Sequence, residues 1–438
     1  PRLTAGGAHQ YRLFRFDGQG AIRATFVFLR IEGALAELPV SALALLEAVQ
    51  VALLWAEGAF AEAPLDGGEI TLINPGPRAA YSGMLPGHIA GHYPRAALEI
   101  DLCKLGTAAG ATLIEARATG IDRAGGRVLL EDGENVPYDF AALDIGITSE
   151  MPALPGFVEH ITPAKPLDAF ADRWEHFVGH APANASVAVI GGGVAGVELA
   201  LACAHRLPET RVTVYEAQDT ALTALGHGAR ARMLRHAARH GVTILTGKRL
   251  SAAEAGRLRF ADDTTAAFDF AIGTGATRPA PWLTETGLDL HKGFVTVGPT
   301  LQSSDPAIFA SGDIAHLSHA PRPKAGVYAV REAPILAHNL RAAVEGGAMR
   351  RYHPQRDYLK LISTGDKRAV ADKWGLPLDG RWLWRIKDRI DRGFLAGLHC
   401  KRRPQAPLSR SVDRHGRAHR HLIEQCDDVI IDHPETPI

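Results

Sequence analysis

The chain lacks the cysteine spacing and the long apolar run that several protein classes require. Its 438 residues include four cysteines, and no two of them form a CxxC or CxxxxC pair. We therefore expect no disulfide framework, no redox-active dithiol and no metal site. The longest apolar stretch, residues 40–55, is interrupted by Glu47 and Gln50. It is also shorter than the roughly 20 residues that a membrane span needs.

Net charge is absent as well, since 48 Lys and Arg balance 48 Asp and Glu. No global field draws the chain to nucleic acid, so we expect no nucleic-acid partner. The first residues also lack the charged and apolar regions of a secretion signal. We expect a cytoplasmic protein, either free or peripheral on the inner face of the membrane, and assembly into a homo-oligomer stays open.

What the chain does contain is an internal repeat. Residues 126–141 match residues 256–271 at one constant offset, and each stretch has a Gly-Arg start, an acidic turn and a later Asp-Phe-Ala. Upstream, Ile70 to Asn74 resembles Val212 to Glu216, each a short alternating strand that ends in a polar residue. The repeat predicts two related nucleotide-binding units in series.

A glycine-rich loop in the second unit is the strongest local motif. The apolar run 186–190 is followed at once by Gly191-Gly192-Gly193-Val194-Ala195-Gly196 and then by a helix-forming segment. Gly191 permits a tight turn, Gly193 lets backbone amides approach a pyrophosphate, and Gly196 lets the helix pack on the strand. Phosphate then lies at the positive end of the helix.

Glu216 lies about 20 residues past this loop, at the end of the next strand. A carboxylate there accepts hydrogen bonds from both ribose hydroxyls of NAD and repels the 2′-phosphate of NADP. The pattern therefore predicts a dinucleotide site that prefers NAD, with Gly191, Gly193, Gly196 and Glu216 as cofactor-binding residues.

The predicted fold is α/β, with two Rossmann-like dinucleotide-binding domains and a small C-terminal α+β region. Pro-rich junctions at 151–156 and 278–281 flank the second unit, which indicates that this unit, the NAD(P) domain, is inserted into the first one. The predicted segments are 1–155 (first part of the outer domain, atypical over 1–65), 156–282 (NAD(P) domain), 283–345 (second part of the outer domain), 346–400 (C-terminal region) and 401–438 (poorly ordered tail). The resemblance described next implies that the outer domain is the FAD domain.

The chain resembles the FAD-dependent pyridine nucleotide-disulfide oxidoreductase superfamily, within it the type-II NADH dehydrogenase-like branch, and there the flavoproteins often fused to selenide, water dikinase. Six segments carry the likeness. They are Tyr81 to Gly87, Gly191 to Glu198, Ile272 to Ala276, Ile308 to Asp313, Lys324 to Arg331 and Tyr358 to Gly365.

The resemblance implies FAD and NAD(P)H as cofactors and a set of flavin-binding residues. Gly312 and Asp313 would hold the ribityl and pyrophosphate region. The run from Lys324 implies backbone amides at a helix start that face the pyrimidine side of the flavin and stabilise its reduced form. The cofactor-binding residues carried over are Gly275, Gly312, Asp313, Lys324, Gly326, Val327 and Tyr328.

The same resemblance constrains the electron acceptor. Disulfide reductases of the superfamily carry a CxxxxC pair where this chain has Tyr81 to Gly87, without cysteine. Cys103 and Cys203 lie away from the flavin motifs and are predicted core residues. Hydride is thus expected to pass from NAD(P)H to flavin and electrons to a small, quinone-like acceptor or to another protein.

One expected glycine loop is missing from the first unit. The repeat places it near residues 45–52, but no glycine occurs between Gly33 and Gly58, and Asn74 replaces the usual acid. Local propensity predicts a helix through Ser41 to Ala56 instead. Either the first sixty or so residues are altered or incomplete, or the chain is a nucleotide-binding sensor or partner-binding protein that has lost competent FAD binding.

Two further features have alternative interpretations. Glu198 is the candidate catalytic residue, a polar group near the nicotinamide or acceptor side of the flavin, or else a solvated acid in the first helical turn. Residues 381–395 mix aromatic, aliphatic and basic side chains at helical spacing. They form either a peripheral membrane contact near a quinone or a helix packed on the FAD domain.

Overall fold

A computed structural model describes residues 68–149, 154–275, 277–373 and 376–398, together with three short strands nearer the start of the chain. Its helices are α1 (Leu85–Ile89), α2 (Leu102–Ala109), α3 (Phe157–His160), α4 (Leu167–His180), α5 (Val194–Arg206), α6 (His227–Arg239), α7 (Gly326–Glu345) and α8 (Arg381–Leu398). The tail predicted from residue 401 lies outside the described residues.

The strands of the first unit are followed by those of the second and then by those of the closing region. The first unit has β1 (Leu29–Ile31), β2 (Val40–Ser41), β3 (Ala44–Leu46), β4 (Gly68–Asn74), β5 (Arg78–Ala80), β6 (Glu99–Asp101), β7 (Ala111–Glu115), β8 (Ala118–Asp122), β9 (Arg127–Leu130), β10 (Asn135–Pro137) and β11 (Ala141–Asp144). The second has β12 (Thr148–Ser149), β13 (Thr162–Pro163), β14 (Ser186–Ile190), β15 (Arg211–Tyr215), β16 (Thr243–Leu245), β17 (Leu250–Glu254), β18 (Arg257–Phe260), β19 (Thr265–Ala267), β20 (Phe270–Gly273) and β21 (Thr277–Arg278). The rest are β22 (Leu290–His291), β23 (Phe294–Val297), β24 (Ile308–Ala310), β25 (Ala315–Leu317), β26 (Lys360–Ser363), β27 (Ala369–Lys373) and β28 (Leu376–Gly380).

The two parallel sheets have the same spatial order. In the first sheet the parallel core runs β7-β4-β3-β11-β24, and in the second it runs β16-β15-β14-β20-β13. Strand β24 pairs with β11 although the whole second sheet lies between them in the chain. The predicted fold class, with one Rossmann-like domain inserted into another, is confirmed, while the exact domain boundaries stay a prediction.

The internal repeat is also confirmed in the antiparallel layers beside these sheets. Strands β8, β9 and β10 form one three-stranded meander, and β17, β18 and β19 form the other. Each meander has an irregularity in register near its first strand, between Ala118 and Gly120 and between Leu250 and Ala252. The repeated sequence therefore specifies turns and register as well as strand positions.

The helix predicted through Ser41 to Ala56 is wrong where the structure describes it. Ser41 and residues 44–46 are strand, and β3 pairs in parallel with both β4 and β11. A place between two apolar parallel strands outweighs local helix propensity, because burial in a sheet is decided by tertiary packing. Residues 42–43 and 47–67 lie outside the described residues.

The region after the second unit completes the first and adds a small α+β layer. Helix α7 packs its apolar side on the core and ends at Gly346. Strands β26, β27 and β28 form an antiparallel sheet, and α8 contacts all three. Leu383, Leu395 and Leu398 of α8 are buried, so this helix is packed along one side.

Candidate functional site

The glycine loop of the second unit connects β14 to α5 at the carboxyl end of the second sheet. Gly191 has a φ of 113°, which only glycine adopts readily. A Cβ on Gly196 would lie 2.0 Å from the carbonyl oxygen of Gly191, so no side chain fits between loop and helix. This close packing sets the loop conformation.

The face of the loop that a pyrophosphate would approach is open. Gly193 is the N-cap of α5, and a Cβ added there would meet no atom within 4 Å. The cap residue gives the helix no side-chain hydrogen bond, so first-turn N–H groups remain available to an anion. The residues present therefore fit the pyrophosphate of a dinucleotide.

Glu216 lies beside this loop, as the spacing predicts. Its Oε2 accepts a hydrogen bond from the N–H of Gly192 at 2.6 Å, and Oε1 accepts one from the N–H of Gln218 at 2.8 Å. The structure thus brings Gly191, Gly193, Gly196 and Glu216 together. The carboxylate keeps lone pairs for further donors, since each carboxylate oxygen accepts more than one hydrogen bond.

Thr274 is a loop-positioning residue that the sequence did not single out. Its hydroxyl lies 3.0 Å from the carbonyl oxygen of Ile190 and 3.1 Å from that of Gly191. The neighbouring Gly275, nominated from the same motif, is exposed. A threonine between two glycines carries no recognisable signal, because its role depends on a contact across 83 residues of chain.

The second group of predicted residues lies at the carboxyl end of the first sheet. Gly312 follows β24 with a φ of 66°, and a Cβ there would lie 2.2 Å from Oδ1 of Asp144. Its N–H donates to Oε2 of Glu332 at 2.7 Å. Asp313 is buried, and its Oδ2 lies 3.1 Å from Nζ of Lys165.

Glu332 and Lys165 were also missed by sequence reasoning. Burial raises the pKa of Glu332 to about 7, although the Gly312 N–H and the charge of Lys324 favour the ionised form. Lys165 follows β13 of the second sheet, so its contact with Asp313 links the two groups of site residues. The contacts of Glu332 with Gly312 and of Lys165 with Asp313 join residues that are separated in sequence. Periodicity and motif spacing do not predict such contacts.

Lys324, Gly326, Val327 and Tyr328 lie at the start of α7. Nζ of Lys324 donates to the carbonyl oxygen of Ala315 and lies 4.3 Å from the centre of the Phe294 ring, and burial lowers its pKa to about 8. Ala325 caps α7 without a side-chain hydrogen bond, and a Cβ on Gly326 would meet no atom within 4 Å. This helix start is thus also open to an anionic group.

The segment that follows β3 in the first unit fits a flavin less well, because it lacks the glycines that follow β14 in the second unit. Ala142 pairs with Ala44, and its repeat counterpart Ile272 pairs with Val189. Two residues further along each strand, Leu46 is aligned with Gly191. Counting on in sequence, Ala48 and Val51 stand where the second unit has Gly193 and Gly196.

Glu198 points toward the C-terminal region. Its Oε1 accepts a hydrogen bond from the N–H of Ser363 at 2.7 Å. Burial raises its pKa, while the charge of Lys387 and the Ser363 N–H act in the opposite direction. Glu198 is therefore a packed, hydrogen-bonded acid, and its interpretation as a solvated helix residue is wrong.

A polar cluster connects the cysteine-free loop at Tyr81 to α8. Nζ of Lys387 lies 2.6 Å from the carbonyl oxygen of Gly83 and 2.6 Å from Oδ2 of Asp391. The hydroxyl of Tyr81 donates to Oδ1 of Asp391 at 3.2 Å. Burial, followed by the charge of Asp391, raises the pKa of Tyr81. The cluster includes the Tyr81 to Gly87 loop, the segment that the resemblance likens to the disulfide-bearing segment of disulfide reductases.

Cys203 is fully buried in α5, as predicted for a core residue, and burial raises the pKa of its thiol. Cys103 is partly buried against the same core. An open cleft of 590 Å³ lies elsewhere, lined in part by His176, His180 and Asp269. Asp269 precedes the amino end of β20, opposite the end that carries the glycine loop, so this cleft is not the nucleotide site.

Comparisons with known proteins give the following matches. The family model described as pyridine nucleotide-disulphide oxidoreductase matches residues 55–333. The NADH dehydrogenase-like protein YutJ of Bacillus subtilis is 25% identical over 281 residues, which cover 63% of this chain and 76% of that protein. The nitric oxide reductase FlRd-NAD(+) reductase of Aeromonas hydrophila is 32% identical over 201 residues, 44% of this chain and 50% of that protein.

Solved structures show the same fold. The ferredoxin reductase for the CYP199A2 system from Rhodopseudomonas palustris superposes with a TM-score of 0.65 at 20% identity. The match covers 75% of this chain and 81% of that one. At this identity the likeness concerns the arrangement of the sheets and helices.

Proposed function

The chain belongs to the pyridine nucleotide-disulphide oxidoreductase family, and from this we propose an FAD-dependent NAD(P)H oxidoreductase that passes electrons to a quinone-like small acceptor. The family and its reductase relatives indicate FAD and NAD(P)H as cofactors and an oxidoreductase activity. The type-II NADH dehydrogenase-like branch is the finer assignment that we propose, with the flavoproteins fused to selenide, water dikinase as the subgroup. The observation that carries the proposal is the glycine loop with Glu216 bonded against it.

The chain's own residues supply binding and orientation. Gly191, Gly193 and Gly196 would hold the NAD(P)H pyrophosphate at the start of α5, and Glu216 would accept from the ribose. Gly312, Asp313 and the open start of α7 would hold the flavin. When bound, the flavin supplies the redox chemistry, taking a hydride from NAD(P)H and passing electrons on.

The acceptor is proposed to approach through the cluster of Tyr81, Lys387 and Asp391. No cysteine pair occupies this place, so electrons would leave without a disulfide step. Lys387 and Glu198 bring opposite charges to the same end of α5, a setting in which a proton can be held near the reacting groups. A relative named as a probable ferredoxin reductase favours a small electron-transfer protein as the second candidate acceptor.

Helix α8 supports a membrane-bound acceptor. Trp382, Ile386 and Ile390 are exposed at four-residue spacing, with exposed fractions of 50%, 41% and 53%. Arg381, Arg385, Arg389 and Arg392 are exposed on the same helix. Apolar side chains flanked by arginines are typical of helices that lie in a membrane interface. Among the described residues, no helix is long and apolar enough to cross a bilayer.

The activity is tested with the purified full chain, reconstituted with FAD and desalted. We expect yellow absorbance of bound flavin, its bleaching by NADH, and recovery on addition of a soluble quinone. NADPH should bleach the flavin more slowly than NADH because Glu216 repels the 2′-phosphate. Saturable NADH binding without retained flavin would instead support the nucleotide sensor, which the alignment of Leu46 with Gly191 favours. No binding of either nucleotide would refute both.

The membrane contact has its own test. We expect the full chain to sediment with anionic phospholipid vesicles at low salt and to remain in solution with neutral vesicles. Replacing Ile386 and Ile390 by Asp should abolish sedimentation. Val158→Asp is the matched control, since Val158 is also an exposed apolar residue, at 65%, but on α3. Equal sedimentation of all three proteins would remove α8 as the contact.

A further inference from the structure

Two histidines at the end of α6 and two aspartates of the C-terminal region form a cluster in which His236 is buried and the other three side chains are partly exposed. His236 lies on the last turn of α6, and His240 caps that helix four residues later, so both rings lie on one side. Asp366 lies in the turn between β26 and β27, and Asp379 lies in β28. The cluster therefore joins the second nucleotide-binding unit to the C-terminal region.

The ring nitrogens of this cluster are arranged as in ligated histidines. Nε2 of His236 lies 2.9 Å from Oδ2 of Asp379, which leaves a lone pair on Nδ1. Nδ1 is buried without a hydrogen-bond partner among the described residues, and the His236 side chain is only 2% exposed. A carboxylate on one ring nitrogen and a free lone pair on the other is the usual state of a metal-binding histidine.

His240 and Asp366 complete a three-ligand set. Nε2 of His240 lies 3.5 Å from Oδ2 of Asp366, and it too makes no hydrogen bond within the described part of the chain. Ligands of tetrahedral zinc, at about 2.0–2.1 Å from the ion, lie about 3.4 Å apart. The Thr364 hydroxyl occupies the other Asp366 oxygen at 2.7 Å. One ligand atom from each of His236, His240 and Asp366 lies within 4.8 Å of the other two.

From this geometry we propose that His236, His240 and Asp366 bind one zinc ion, with Asp379 as the carboxylate that orients His236. Two imidazoles and one carboxylate are a donor set that zinc accepts, with water in the fourth position. The ion would join α6 to the β26–β27 turn, which follows directly on Ser363, the residue whose N–H donates to Glu198. Of the nearby cations, Arg368 lies 3.7 Å from Asp379 of the same cluster, and Nζ of Lys367 lies over the Trp384 ring. The expectation of no metal site rested on cysteine spacing, which does not report this cluster.

The test measures zinc bound to the full chain after treatment with a chelator and readdition of the metal. We expect one zinc per chain by elemental analysis, a rise in the midpoint of thermal unfolding with Zn²⁺ but not Mg²⁺, and a tetrahedral visible spectrum with Co²⁺. His240→Gln and Asp366→Asn should each weaken zinc binding at least about 10-fold, and Asp379→Asn should do so by about 10- to 100-fold.

A matched control is available on α4, where His176 and His180 form another pair at four-residue spacing with stacked rings. Replacing both by Gln removes a surface pair that also attracts metal, and it should leave the stoichiometric zinc in place. If zinc binding is lost with the α4 variant and unchanged in His240→Gln, the proposal is wrong. Should His240→Gln fail to fold, the Co²⁺ spectrum of the unaltered chain decides, since a chain without tetrahedral cobalt has no such site.

Discussion

The two nucleotide-binding units share one sheet architecture but differ in what their loops can hold. Both have five parallel strands in the same order and a three-stranded meander beside them. The second unit places Gly191 after its central strand, whereas the first has Leu46 at the aligned position. Apolar strands at the right spacing are enough to specify the sheet, while the cofactor cradle depends on individual glycines that the sheet does not need.

A second difference concerns one aspartate of the repeat. Asp269 accepts hydrogen bonds from both the N–H and the hydroxyl of Ser186, at 2.7 and 2.8 Å. Its counterpart Asp139 has one carboxylate oxygen buried without a hydrogen-bond partner in the described residues, and burial raises its pKa to about 7. Aspartate at this repeat position therefore stabilises the second unit through two hydrogen bonds, whereas its charged form destabilises the first unit.

The largest expected effect comes from placing a side chain in the glycine loop of the second unit, Gly191 to Gly196. Gly196→Val should weaken NADH binding at least about 100-fold, because a side chain there collides with the Gly191 carbonyl and displaces the loop. Isothermal titration with NADH measures it. Gly179→Ala, in an open part of α4, is the control and should bind as the parent does. Unchanged NADH binding in Gly196→Val would contradict the claim that these glycines decide which unit binds a dinucleotide.

A smaller effect is expected at Glu198, which by register has Leu53 as its first-unit counterpart in the sequence. Glu198→Ala should lower kcat about 10-fold and leave flavin content intact, because the Ser363 contact and the local negative charge are lost. Glu198→Gln keeps an acceptor for Ser363, so recovery in that variant would assign a positioning role. The exposed Glu209→Ala is the control. Parent kinetics in Glu198→Ala would place this acid outside the site.

The smallest effect separates the two repeat aspartates by pH. The raised pKa of Asp139 means that its contribution to stability is complete below about pH 4 and is lost as pH rises through about 7. Because solvent screens the partly exposed Asp139 side chain, Asp139→Asn should gain only about 1 kcal/mol of stability at pH 8 and nothing at pH 4. Urea unfolding at the two pH values measures it.

Asp269→Asn is the matched change in the second unit. It should lose about 1 kcal/mol at pH 8, because a charged acceptor of two hydrogen bonds becomes a neutral one. Equal responses of the two variants would show that the units treat this aspartate alike, contrary to their different partners.

Strand alternation, the repeat and the glycine loop were sufficient to predict the fold class from sequence. They also placed Glu216 beside the loop, because its distance along the chain follows from one strand-helix-strand unit. The helix expected from Ser41 failed because β3 is held by neighbouring strands, a tertiary effect that local propensity does not contain. Apart from this segment, the fold class could be predicted from patterns that are local in the sequence.

The site was harder to predict than the fold. Lys165 reaches Asp313 across 148 residues, and Glu198 reaches Ser363 across 165. The histidines of α6 look like ordinary polar residues of an amphipathic helix until Asp366 and Asp379 are brought against them. Such contacts arise from packing between separate units, so no spacing within one unit signals them.

The pairing of β24 with β11 has a consequence for synthesis of the chain. About 160 residues lie between these two strands in the chain. At about 5–20 residues per second, the ribosome therefore makes β24 roughly 10 to 30 s after β11. During that interval β11 presents an unpaired edge, while every strand of the inserted sheet has already been made. The strands of the inserted domain are thus complete before those of the outer domain. Until Ile308 to Ala310 are synthesised, the edge of the outer sheet at β11 can pair with strands other than β24.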